Sequence, residues 1–451
     1  AILEVAGRDF LVTGACAPSP PSPGRGVGAS GGTPRVSTVP GYVSADVMRS
    51  SHRRSVALLP PRTGPFGPAR AGKGTPMRIS VLTHMLHPIR SPYEGGLEMH
   101  TAMTVEHLVR RGHDVTVYAR EGTRLPGDVV AVLPAEGAGP GRAGARVREE
   151  AARRACALIL DDDSDAVLNN SLSPAPLELL RARPMVTVLH TPATLAEVLA
   201  VVDAPDWTAP DHHRWASVSA SNALAWQHRL PRVDVVPNGI ELHHWVSDAV
   251  PVRGRAVWSG RITAEKGLHV AIDAARIAGM ELHFAGPISD EEYHAREVVP
   301  RLGPDTVYHG HLDHQALPHM LATGEVFLAT PLWAEPFGLA VVEAMALGVP
   351  VAALLSGAMG EIVAPQAGAL AVHHTAQELA VSIRHARRKD RGRVRAWACR
   401  FSAETMVEGY VDLLEQAAED ARDLAAAEDA YGFDPQGVPR PSADAADLES
   451  L

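Results

Sequence analysis

From Met77 onward, short apolar runs alternate with stretches of helical periodicity, and this alternation restricts the possible folds more than any other feature. Residues 78–83 open the series as a buried strand. The loop 84–96 leads into a helix whose Ala102, Val105, Leu108 and Val109 recur at three-and-four spacing, and Gly112 stops it. Strands are expected at 114–119, 129–133, 166–169, 185–189, 216–219 and 233–236, with helices at 145–158, 176–181, 193–201 and 222–229 between them. A second series opens after Pro251, with strands at 256–259, 281–285, 306–308, 325–329 and 349–354. Its helices are expected at 267–279, 315–321 and 338–347, with a later one at 403–418. Strand and helix in strict alternation build a parallel sheet covered on both faces. Two such runs predict an α/β protein with two Rossmann-like, doubly wound domains, 77–250 and 251–420, facing across a cleft. In folds of this kind ligands bind beyond the carboxyl ends of the strands.

Composition narrows the function classes. The 451 residues leave room for two or three cores. A hydrophobic share of 46% with 21% charged residues is ordinary for a globular protein in water. The net charge of −10 excludes general nucleic-acid binding, which needs a basic footprint. Cys16, Cys156 and Cys399 are odd in number and far apart, so no disulfide framework follows and a reducing cytoplasm is the expected home. No apolar run approaches the ~20 residues that span a bilayer, so no transmembrane segment is expected. Residues 1–76, rich in Pro, Gly, Ser, Ala and Arg, read as a disordered extension that the functional protein, starting at Met77, does not need. Residues 421–451 read as a loose acidic tail.

Residues 334–350 carry the densest chemistry. Glu335 and Glu343 stand eight residues apart across a loop-to-helix junction, where paired carboxylates facing one cleft can grip vicinal hydroxyls. Pro336 suits a first helical turn, Gly348 closes the helix and Pro350 bars its continuation. The amides of Phe337, Gly338 and Leu339 are then free donors at the positive end of the helix. An arbitrary E-x7-E is most often a cap and a solvated face, but the wording Glu-Pro-Phe-Gly-(x)4-Glu-Ala-Met-Ala-x-Gly-x-Pro is more specific. It resembles the signature of the retaining, GT-B-fold nucleotide-sugar glycosyltransferases of family 4. Arg261 and Lys266, in Gly-Arg-x-x-x-Glu-Lys-Gly, bracket a helix start at the end of the first strand of the second domain, where two cations can meet a diphosphate. The tandem Gly95-Gly96 lets backbone approach a ligand closely. His190 ends the strand 185–189, a place where a structural histidine is common. The remaining histidines, His84 and His87, His212 and His213, and His309, His311, His314 and His319, are read as loop residues rather than metal ligands.

The resemblance spans 77 to about 418 and is strongest over 256–363. It implies transfer of a hexosyl group from a nucleoside diphosphate sugar, with retention and without a metal or other cofactor. Glu343 is then assigned to the ribose hydroxyls and Glu335, as a catalytic residue, to the donor sugar's hydroxyls. Arg261, Lys266, Gly95 and Gly96 go to the diphosphate, the amides of Phe337 to Leu339 to the sugar and distal phosphate, and His190 to the sugar at the reacting end. Leu97 stands where many relatives have Thr, and Thr191 where many have Gly or Asp, so the acceptor side is less closely matched. Carbohydrate, small-molecule and lipid-linked acceptors all stay open, as does peripheral attachment to the inner membrane surface. Two other readings are compatible with the fold: a GT-B nucleotide-sugar epimerase and a non-catalytic sugar-nucleotide binding protein.

Overall fold

The computed structural model describes residues 75–431, apart from 92, 140 and 314. The expected N-terminal extension up to residue 74, the tail beyond 431, Cys16 and His314 lie outside the described residues. The first lobe runs β1 (Arg78–Thr83), α1 (Gly96–Arg110), β2 (Asp114–Arg120), β3 (Asp128–Leu133), α2 (Gly141–Asp161), β4 (Ala166–Asn170) and α3 (Ala175–Leu179). It continues with β5 (Met185–Leu189), α4 (Ala196–Val202), β6 (His213–Ser217), α5 (Ala220–Trp226) and β7 (Asp234–Val235). The second lobe runs β8 (Arg255–Ser259), α6 (Leu268–Ile277), β9 (Glu281–Ala285), α7 (Glu291–Tyr293), β10 (Thr306–Tyr308), α8 (Ala316–Ala322), β11 (Val326–Ala329) and α9 (Leu339–Ala346). It ends with β12 (Val351–Leu354), α10 (Met359–Ile362), β13 (Gly368–Ala371), α11 (Ala376–Ala386) and α12 (Arg391–Ala398), after which α13 (Ala403–Tyr431) closes the described chain.

The strands form two sheets, ordered β3-β2-β1-β4-β5-β6-β7 and β10-β9-β8-β11-β12-β13, and every pairing in both is parallel. These are the two doubly wound sheets of a GT-B fold. Side chains alternate across each sheet, so the apolar runs feed two cores at once. In the first lobe Val81, Val117, Leu168 and Val186 turn to the core shared with Val105 and Leu108 of α1. Leu82, Val167, Met185 and Leu189 turn to the opposite core, shared with Ala152, Ala155 and Ile159 of α2. The second lobe repeats the device, Val257, Phe327 and Val351 facing α9 while Trp258, Phe284 and Leu328 face α6 and α11.

Three differences from the sequence reading have physical reasons. β6 occupies 213–217 rather than 216–219, because its register is set by pairing with β5, Met185 opposite His213. α7, α10, β13, α11 and α12 were not expected. α11 and α12 begin at side-chain caps, Thr375 accepting from the Glu378 amide and Asp390 from the Arg393 amide. The last helix runs to Tyr431, past the expected end at 418, and although it follows the second lobe in sequence it packs on α1, β4, β5 and β6 of the first. Its Met406, Val407, Tyr410 and Leu414 are buried there.

The chain therefore crosses between lobes twice, and the crossings touch. The Ile240 amide donates to the Phe401 carbonyl (3.0 Å) and the Ala403 amide to the Ile240 carbonyl (2.9 Å). Gly239 makes this possible: a Cβ there would lie 2.3 Å from the Ser402 carbonyl oxygen. Gly239→Ala should cost about 1–3 kcal/mol by forcing backbone apart. Thermal melts should show a clearly lower Tm, while Gly139→Ala, where an added Cβ meets nothing, should leave it unchanged.

Candidate active site

The loops that leave the carboxyl ends of β8 and β11 are stitched together before any ligand is considered. The Leu332 amide donates to the Glu265 carbonyl (2.8 Å) and the Thr330 hydroxyl to the Lys266 carbonyl (2.8 Å). Gly267, with φ 64°, allows this approach, since a Cβ there would lie 2.3 Å from the Thr330 oxygen. Lys266 consequently reaches Glu335, its Nζ 2.6 Å from Oε2. Arg261 pairs with Glu265 at 3.4 Å, so the two cations flank one short turn, Ala264–Lys266. Only the first of the two sequence-predicted carboxylates meets a cation; the buried Glu343 carboxyl forms no ion pair or hydrogen bond among the described residues.

The loop after Glu335 departs from expectation. α9 starts at Leu339 with Gly338 as its N-cap at φ 99°, so Pro336 precedes the helix instead of occupying its first turn. The left-handed step at Gly338 sets the boundary, and Met359 Cε would lie 2.5 Å from a Cβ at this position. Phe337 turns inward and packs edge-on against Phe401 at 5.8 Å. The amides of Phe337, Gly338 and Leu339 have no acceptor among the described residues. At the helix end Gly348, at φ 73°, donates to the Met345 carbonyl and Val349 to Ala344, closing α9 as the sequence indicates.

The glycine pair of the first lobe meets this same place. A Cβ on Gly96 would lie 3.1 Å from Leu339 Cδ1, so the starts of α1 and α9 abut. Gly95 is the extended N-cap of α1, closed over by the Glu98 carboxyl, which lies 3.0 Å from where its Cβ would be. Arg120 fixes the preceding loop by donating to the Leu86 carbonyl (2.6 Å) and the Ala135 carbonyl (2.6 and 3.2 Å). A second contact between lobes lies on α10, where Glu361 accepts the amides of Ala220 and Ser221, each at 2.9 Å, at the start of α5.

His190 stands at the carboxyl end of β5, partly buried. Its Nε2 lies 3.0 Å from Asn170 Oδ1 at the end of β4, so the ring nitrogen donates, the amide oxygen accepts and Nδ1 is left as an acceptor. Burial, with His100 and His84 beside it, holds its pKa well below the ordinary 6.5. The His100 ring meets it edge-on at 4.7 Å and reaches the Tyr410 hydroxyl of α13 at 3.0 Å. His84 and His100 are both pushed down to about 3 by burial, and burial raises Glu98. The three histidines of this wall are neutral at pH 7, in contrast to the ion pairs of the second lobe. Among the other histidines, His212 and His213 bond backbone carbonyls, and His309 pairs with His283 at 2.9 Å.

Residues 94–244 match the family described as Glycosyltransferase Family 4, and residues 246–396 match Glycosyl transferases group 1. The chain belongs to glycosyltransferase family 4. It is 28% identical over 292 residues to a phosphatidyl-myo-inositol mannosyltransferase of Mycolicibacterium smegmatis, covering 60% of this chain and 75% of that one. Over 143 residues it is 34% identical to a glycogen synthase of Mycobacterium tuberculosis, 30% of this chain and 34% of that protein. Among solved structures, AviGT4, a glycosyltransferase involved in avilamycin A biosynthesis, superposes with a TM-score of 0.58 at 21% identity, covering 76% of this chain and 98% of that one. Anabaena Alr3699/HepE, in complex with UDP and glucose, does so with 0.56 at 19% identity, over 75% and 99%. This family 4 glycosyltransferase has no described helix long and apolar enough to cross a membrane.

Sequence reasoning missed Asn170, Trp333 and Glu361. Asn170 and Glu361 act through side-chain bonds to segments distant in sequence, and Trp333 through a bond to Glu335 two residues on, across a bend in one loop. Glu343 offers a direct test of the enzyme's electrostatics. It is 8% exposed and burial pushes its pKa from 4.5 up to about 8. The folded state thus favours the protonated form, a stability that is fully present below about pH 4.5 and lost as pH rises through 8. The Tm of Glu343→Gln relative to wild type should climb between pH 5 and 8 and level off above; a difference independent of pH would contradict the assignment.

Proposed function

We propose that this glycosyltransferase moves a hexosyl group from a nucleoside diphosphate sugar to an acceptor hydroxyl, with retention at the anomeric carbon and without a metal. The observation that carries this reading is the Lys266–Glu335 pair beside the unpaired amides of Phe337, Gly338 and Leu339. A cation and helix-start amides suit the leaving diphosphate, and an adjacent carboxylate suits sugar hydroxyls or the positive charge that develops on the ring. Arg261 adds a second cation on the same turn, and Gly95 and Gly96 bring the first lobe's backbone against α9. Glu343 takes the ribose hydroxyls. His190, neutral and with Nδ1 open, accepts from a sugar hydroxyl.

The reaction is a front-face displacement. The bond from the anomeric carbon to the acceptor oxygen forms as the bond to phosphate breaks, and the acceptor's proton passes to the departing phosphate oxygen. The diphosphate then leaves with its charge met by Lys266, Arg261 and the α9 amides. One matched relative is named a mannosyltransferase and one structural neighbour was solved with UDP and glucose, so mannosyl and glucosyl nucleotides are the first donors to assay. Acceptors of carbohydrate, small-molecule or lipid-linked type are all compatible with the neutral histidines of the first-lobe wall.

Glu335→Ala and Lys266→Ala should each lower turnover by more than about tenfold, a loss of at least ~1.4 kcal/mol of transition-state stabilisation, with Tm little changed. Without acceptor, slow release of nucleotide and free sugar supports a transferase, whereas epimerised donor identifies an isomerase. A chain that binds the donor and does neither is a binding protein. Donor binding near pH 7 should also release a proton, because ribose hydroxyls donate to an ionised Glu343 that is protonated when the site is empty. Calorimetry in buffers of different ionisation enthalpy should show this, and Glu343→Gln should abolish it.

A further inference from the structure

We propose that Trp333 is a positioning residue that aims the Glu335 carboxylate at the donor sugar; this rests on the reading above of Glu335 as the sugar-binding carboxylate. The indole Nε1–H of Trp333 donates to Glu335 Oε2 at 2.9 Å, the same oxygen that Lys266 Nζ reaches at 2.6 Å. Both donors therefore occupy one oxygen. Oε1 has no partner among the described residues and is not sealed from solvent. The carboxylate is thereby divided into an anchored oxygen and a working one, with its plane fixed before a ligand arrives.

Trp333 is itself held. Its carbonyl accepts the Ser356 hydroxyl, and its neighbour Leu332 is tied through its amide to Glu265. On the far side of the carboxylate, the Glu335 carbonyl accepts the Ala358 amide at 2.9 Å, and Gly357, at φ 54°, packs against the Glu335 backbone. Lys266 Nζ also lies 5.4 Å from the indole ring centre, within reach of a cation–π attraction. The two donors differ in what they can do next. The ammonium sits on a flexible stem and carries three protons, so it can turn toward a diphosphate. The indole carries one proton on a rigid ring, so it keeps Oε2 occupied when Lys266 turns away. Glu335 then stays both oriented and hydrogen-bonded during the step in which its ion-pair partner is shared with the leaving group.

Trp333→Phe tests this, because it keeps a ring for Lys266 and removes only the N–H. Losing one hydrogen bond to a charged group should lower kcat about tenfold, while affinity for the bare nucleoside diphosphate and the Tm stay close to wild type. In a Glu335→Ala background the same substitution should add less than about twofold, since the group it positions is gone. Monodeoxy donors provide a second reading. The analogue lacking the hydroxyl that Glu335 holds should be a poor donor for wild type, and that handicap should shrink at least about fivefold in Trp333→Phe. Wild-type kcat in Trp333→Phe, equal losses with and without Glu335, or an unchanged handicap would each overturn the inference. Full turnover in Glu335→Ala would instead overturn the reading of the site on which it rests.

Discussion

Parallel pairing of every strand governs where chemistry can occur in this molecule. A parallel sheet must return the chain to its starting edge through a helix after each strand, so all carboxyl ends of one sheet emerge along one edge. Asn170, His190 and the loop bearing Gly95 and Gly96 thus share an edge of the first sheet. The loops bearing Arg261, Lys266 and Glu335 share the corresponding edge of the second. Residues far apart in sequence meet because of that rule, as Gly96 and Leu339 do.

The two edges are electrostatically unlike. The second lobe presents cations, a paired carboxylate and unpartnered amides, with one buried neutral carboxyl behind them. The first lobe presents three histidines that burial keeps unprotonated, beside a carboxyl whose pKa burial raises. Ion pairs are concentrated on the second lobe, and neutral histidines on the first. Ions buried without partners are far costlier than satisfied neutral groups, so pairing Lys266 with Glu335 lowers the cost of holding both in a partly buried loop.

Much of this was legible in the chain. The short apolar runs and the three-to-four spacing between them located both sheets, with β1, β5, β9 and β10 placed residue for residue. The Glu-Pro-Phe-Gly wording marked the loop that holds Glu335, and Gly-Arg-x-x-x-Glu-Lys-Gly the turn that holds Lys266. What escaped was tertiary in origin. The start of α9 depends on a left-handed glycine that Pro336 seemed to pre-empt, and β6 takes its register from its neighbour. The allegiance of α13 to the first lobe leaves no local trace, because an amphipathic helix does not record which apolar surface will cover it. Trp333 illustrates the same limit within the site, its role defined by one bond across a bend.

The return of α13 has a consequence for how the protein is made. The first lobe lacks Met406, Val407, Tyr410 and Leu414 until the whole second lobe has left the ribosome. Through that interval the nascent chain carries a bare apolar strip over β4, β5 and β6, and chaperones have their clearest reason to engage it there.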